Sequence, residues 1–141
     1  MPLITSIRNN ILMLPLFIVA CFISSIASAE DDAMAPVPVY IALTPDFVVN
    51  HISTGSRLRY IKASISVRAD MSQQETIENN MPIIRDALVM FLSSRAEDQV
   101  KGALAREKTR QESVGVVNSA LQEQIGISPI QDVLFSSFIT Q

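Results

Sequence analysis

The run RYIKASISVRAD, residues 59–70, limits what this chain can fold into more than any other stretch. Ile61, Ala63, Ile65, Val67 and Ala69 alternate with Lys62, Ser64, Ser66, Arg68 and Asp70, a period of two that a pleated strand sorts onto opposite faces. One face is dry and the other wet. A strand with one apolar face needs neighbouring strands and a cover for its dry side. The chain offers strands before this run and helices after it.

Upstream, residues 39–43 and 47–52 are short apolar or β-branched runs, separated by Thr44-Pro45-Asp46. Pro45 disfavours helix at Thr44 and interrupts any continuous strand. Ser53-Thr54-Gly55-Ser56 supplies turn chemistry, with Gly55 free to take positive φ. The expected arrangement is an antiparallel hairpin with a third strand alongside.

Downstream, Ser72 and Glu75 have capping-box spacing at a helix start. Ile77, Met81, Ile84, Leu88 and Phe91 then recur at helical spacing and form the stripe that covers the sheet; the Met and Phe here are core rather than a ligand box. Pro82 either kinks this helix or stands in its first turn, and a kink is the expectation. Ser94 and Glu97 repeat the capping spacing, and Gly102 breaks the segment. Residues 106–112, REKTRQE, are charged all round and read as a solvated helix face.

Val114, Val117, Leu121 and Ile125 form a second stripe that ends at Gly126, a left-handed cap. Residues 133–140, VLFSSFIT, are a terminal strand with Val133, Phe135 and Ile139 on one face and Leu134 and Phe138 on the other. Apolar on both sides, this strand is expected inside a sheet or at a subunit contact. The fold class is therefore α+β: a mixed, mainly antiparallel sheet with two helices packed on it.

Chemistry-bearing residues are few. Cys21 is the single cysteine and His51 the single histidine. An internal disulfide is impossible, and zinc sites, Ser/His/Asp triads and Cys/His dyads have little to draw on. No catalytic, cofactor-binding or metal-ligating residue is assigned, and the chain is read as non-enzymatic with no small-molecule substrate. His51, beside a turn, is expected in solvent; Asn50 and Arg85 are expected to be structural hydrogen-bonders, with facing a partner as the alternative. From Glu30 onward ten basic residues face fourteen acidic ones. That balance suits no phosphate-backbone binder, so nucleic acid is discarded as a partner.

Residues 11–27 are apolar apart from Pro15, Ser24 and Ser25, and Arg8 is the one charged side chain before them. Three fates fit. The Ala27-Ser28-Ala29 ending suits a cleaved signal peptide. A retained single-pass anchor is short but workable. Acylation at Cys21 is the third. Each places the chain beyond Glu30 on the outer side of the membrane, by the positive-inside rule. The expected organisation is a signal peptide or transmembrane anchor at 1–29, a tether at 30–38 and an exported domain at 39–141.

With the segments placed, the order of residues resembles the flagellar basal body-associated FliL family over about 38–141. The matching pieces are Tyr40, Leu43, Pro45, Phe47 and Asn50, then Arg59-Tyr60-Ile61-Lys62, then Pro82, Ile84, Arg85 and Asp86, then Asn118 and Leu121, and the closing IQDVLFSSFITQ. The resemblance implies an inner-membrane protein with a stomatin-like (SPFH-like) periplasmic domain. Such domains form a homo-oligomeric ring around the stator units of the flagellar motor and support rotation, swimming or swarming. Against the longer basic leader and uncleaved anchor typical of the family, this chain has a short leader and an A-x-A ending. The alternatives are a stomatin-like membrane-surface scaffold unrelated to flagella and a small periplasmic hydrolase using a carboxylate pair.

Overall fold

The computed structural model describes residues 35–55 and 58–141. The signal-or-anchor reading of 1–29, Cys21 included, and most of the 30–38 tether lie outside the described residues. The strands are β1 (Pro38–Ala42), β2 (Phe47–His51), β3 (Arg59–Asp70) and β4 (Asp132–Thr140). After β3 come a 3-10 turn (Met71–Gln73) and the helices α1 (Gln74–Asn79), α2 (Met81–Ser93), α3 (Glu97–Val100) and α4 (Ala103–Ile125).

All three ladders are antiparallel and run through β3. β2 pairs with its first half, Phe47 opposite Ala63 and His51 opposite Arg59. β1 pairs with its second half, Pro38 opposite Asp70 and Ala42 opposite Ser66. β4 spans both halves, from Ile61–Thr140 to Arg68–Asp132. A strand has two edges, so β1 and β2 lie end to end along one edge and β4 takes the other. The expected hairpin is present, but the third strand extends its partner's line. β4 is an edge strand among the described residues, not an internal one.

The alternation of β3 sets the core. Ile61, Ala63, Val67 and Ala69 are sealed from solvent and Ile65 nearly so. Phe47 and Val49 on β2 join them, as do Ile77, Ile84, Leu88, Phe91 and Leu92 from α1 and α2, and Val117 and Leu121 from α4. The α2 stripe thus covers the sheet as its spacing requires, with Met81 half-buried at its start. Helix α4 packs on α2 and on β4.

Several local expectations change. The chain does not kink at Pro82: α1 stops at Asn79, and Pro82 stands in the first turn of α2, where its missing N–H would have had no helical partner. The Ser72–Glu75 box does not form. Asp70 caps the 3-10 turn instead, accepting from the Ser72 N–H at 2.8 Å, and its bonds with Ser72 hold its carboxyl below the usual range. Ser94 closes α2 through the Phe91 carbonyl (2.7 Å), and Ala96 is the cap of α3, its N–H donating to Gln99 Oε1 (2.9 Å). Among the described residues positive φ occurs at Gly102 (φ 92°) and at Gly126 (φ 75°), the latter the left-handed cap of α4, and not at Gly55.

The terminal strand re-sorts its faces. Ser64 faces Ser137 while Ile65 faces Phe135, so Ser136 is an extra residue, a β-bulge. One inserted residue shifts the alternation by one. Phe138, opposite Ala63, therefore joins Val133 and Phe135 on the core side, and Ile139, opposite Lys62, turns outward.

Candidate interaction surface

The ordered polar side chains of this domain act mostly on its own backbone. Arg85 on α2 donates from one guanidinium nitrogen to the carbonyls of Leu43 (2.6 Å) and Pro45 (2.8 Å), pinning the break between β1 and β2, where the Thr44–Pro45 peptide is cis. Its guanidinium carbon lies 4.3 Å from the centre of the Phe47 ring, a cation–π contact. Asn118 on α4 binds Ile130 twice, accepting from its N–H (2.9 Å) and donating to its carbonyl (2.7 Å). Arg85 thus has the structural role expected of it. Asn50 does not: it is exposed on the outer side of the sheet, opposite Tyr60.

His51 is buried, with 7 % exposure, and its Nδ1 donates to the Ile52 carbonyl at 3.2 Å. The expectation of a solvent-exposed histidine fails because Phe47, Val49 and His51 share one face of β2. That period of two was the available signal. The segment at 106–112 is likewise not solvated all round. Thr109 is buried and donates to the Gln99 carbonyl at 2.7 Å; Ser113, one turn on, is buried too. They extend the Val117–Leu121 line towards the start of α4 with hydroxyl residues, which hydrophobic periodicity overlooks.

At the β4 edge, Arg110 joins α4 to the strand. It contacts the Asp132 carboxylate, donates to the Val133 carbonyl at 3.1 Å and pairs with Glu107 at 2.7 Å. The arginine and the Gln111 amide hold the Glu107 carboxyl far down, to about 2, and Glu107 first, with Asp132, raises the Arg110 guanidinium. Tyr60 and Gln141 exchange both backbone bonds at 3.0 Å, so by the alternation of an antiparallel ladder the Phe138 carbonyl points away from β3. Arg106 reaches it at 3.5 Å. Beneath these arginines lies a cleft of about 320 Å³ lined by the stacked rings of Phe135 and Phe138, 5.0 Å apart.

Two broader surfaces remain open. The outer face of the sheet carries Tyr40, Arg68 and Asp132 in one cross-strand row, Ala42, Ser66 and Leu134 in the next, and Val48, Lys62 and Ile139 beyond. Tyr40, Val48 and Ile139 are 59 %, 65 % and 46 % exposed, so no described element covers them. On the helical side, Pro82, Ile83, Asp86 and Ala87 of α2 and Ala120, Glu123 and Gln124 of α4 line an open groove of about 450 Å³. Its two carboxylates rim an open cleft, not the closed pocket a carboxylate-pair hydrolase needs. Among the described residues no cluster of three or more His, Cys, Asp or Glu is placed to hold a metal, and no helix is long and apolar enough to cross a membrane.

Fold and surface together define a small α+β domain braced by side-chain clamps on its own backbone, with an open, mixed apolar and cationic sheet face. The family model described as flagellar basal body-associated protein FliL matches residues 40–141, and the chain belongs to that family. It is similar to the flagellar protein FliL of Aquifex aeolicus (strain VF5), with 26 % identity over 106 residues, covering 74 % of this chain and 63 % of that protein. The match thus spans less than two thirds of the relative's length.

Proposed function

We propose that this chain is a non-catalytic accessory of the flagellar motor that associates with the stator and supports rotation, swimming or swarming. The observation that carries this reading is the family match over 40–141, essentially the whole described domain. In this reading the domain is stomatin-like and stands on the periplasmic side of the inner membrane. Residues 1–29 hold it there, or release it as a soluble periplasmic protein if they are cleaved. Copies self-associate in a ring around stator subunits, enclose their linkers and keep them in a conducting arrangement.

A scaffold of this kind needs broad contact surfaces more than a catalytic constellation, and the uncovered sheet face and the groove between α2 and α4 are broad. The test is deletion of the gene followed by swimming and swarming assays at rising viscosity. The expected result is a motility defect that grows with load and is rescued by the intact gene. Motility unchanged at high viscosity overturns the reading. Mass measurement of the protein from membrane and soluble fractions decides whether residues 1–29 remain.

A further inference from the structure

Among the described lysines and arginines, seven have an acceptor. Arg59, Arg95, Lys101, Lys108 and Arg110 are in ion pairs, while Arg85 and Arg106 donate to carbonyls. The side chains of Lys62 and Arg68 have none among the described residues, and Arg68 Nε is enclosed without a partner among them. Both lie on the wet face of β3, among Tyr40, Val48 and Ile139, and the nearby Asp132 is already held by Arg110. On the opposite side of the two-layer domain, the groove between α2 and α4 has an apolar floor at Ile83, Ala87 and Ala120 and two exposed carboxylates, Asp86 and Glu123. Neither carboxylate has an ion-pair partner among the described residues. One side thus offers apolar surface with unspent positive charge, and the other apolar surface with unspent negative charge.

We infer that the outer sheet face of one copy seats on the α2–α4 groove of a second copy, Lys62 and Arg68 meeting Asp86 and Glu123. The inference rests on the self-association proposed above and adds the surfaces that perform it. The two patches lie on opposite sides of one domain, so the contact is heterologous. It repeats front to back, closing into a ring where the rotation per copy allows and otherwise running on as a filament. Exposed ion pairs add little affinity, but mismatched like charges are costly, so the charges choose which surfaces meet while the apolar centre supplies the adhesion.

The test uses the full chain purified in detergent, with its assembly state measured by sedimentation and mass photometry over a concentration series. Two double variants are compared, Lys62→Glu with Arg68→Glu and Asp86→Lys with Glu123→Lys, each checked for unchanged melting. Each alone faces like with like and is expected to self-associate at least tenfold more weakly. An equimolar mixture is expected to recover assembly, because alternating copies put opposite charges at every contact. If wild type assembles and either variant assembles as well as it does, or the mixture fails to recover, this pairing of surfaces is overturned and self-association stands. A wild type that stays monomeric overturns both.

Discussion

The two flanks of β3 each depart from a regular ladder, and they do so in opposite ways. On one side the neighbouring strand is cut in two between β1 and β2, and the cut is repaired from beneath by Arg85, which binds both sides of the break and lies over Phe47. On the other side β4 runs unbroken but carries an extra residue at Ser136, and it is braced at its rim by Arg110 and Arg106. The first defect is held by one arginine's bonds to the backbone on either side of the break. The second leaves the cross-strand pairs on either side of the extra residue in place and is held by an arginine shared between a strand carbonyl and two carboxylates. The same central strand tolerates both because its own dry face is complete.

Substitutions that separate the flanks should rank in that order. Ile61→Ala removes a sealed side chain that both flanks share and should cost about 2–5 kcal/mol in urea unfolding. A loss under about 1 kcal/mol would mean that the core does not centre on β3. Arg85→Met strips two charge-assisted bonds from the broken flank and should cost about 2–3 kcal/mol, with faster amide exchange around Leu43 and Phe47 and little change at β4.

Arg110→Met acts on the other flank and should cost about 1–2 kcal/mol at neutral pH. Its pH profile is diagnostic. The Glu107 carboxyl is depressed by Arg110, so its contribution is present above the ordinary glutamate range and is lost as pH falls from roughly 4.3 towards about 2. Wild type should therefore lose stability across that window, and the variant should lose less. Deleting Ser136 should be the mildest change, within about 1 kcal/mol, because Phe135 still meets Ile65, Ser137 still meets Ser64 and Phe138 still meets Ala63. NMR pairing across β3 and β4 checks it: a shifted register would show that the bulge specifies the pairing.

These flanks also mark what was legible in the sequence. β3, the cut at Pro45, the two helical stripes and the cap at Gly126 follow from alternation, helical spacing and backbone restrictions, all local in the chain. The bulge was not legible. Ser136 and Ser137 are chemically alike, and only the register against Ser64 and Ile65 shows that one of them is surplus, which inverts the faces read for Phe138 and Ile139. The edge position of β4 was hidden as well, because Leu134 and Ile139 leave apolar residues on its outer face beside the core-facing Val133, Phe135 and Phe138, and two apolar faces do not show which edge is paired. Thr109 and Ser113 escaped because a helix can bury hydroxyl residues once a carbonyl accepts their protons. On the surface, the lack of partners at Lys62 and Arg68 depends on which carboxylates the fold brings near, and composition carries none of that.

The arginines along the rim of β4 have one more effect. A bare strand at the margin of a sheet invites another chain to continue the lattice, the route by which β-rich proteins precipitate. Here the outward carbonyls of Val133 and Phe138 already hold guanidinium groups, and the crookedness at Ser136 spoils the straight line an incoming strand would need. Copies crowded together are thereby denied endless side-by-side growth and left to meet through their broad flat sides.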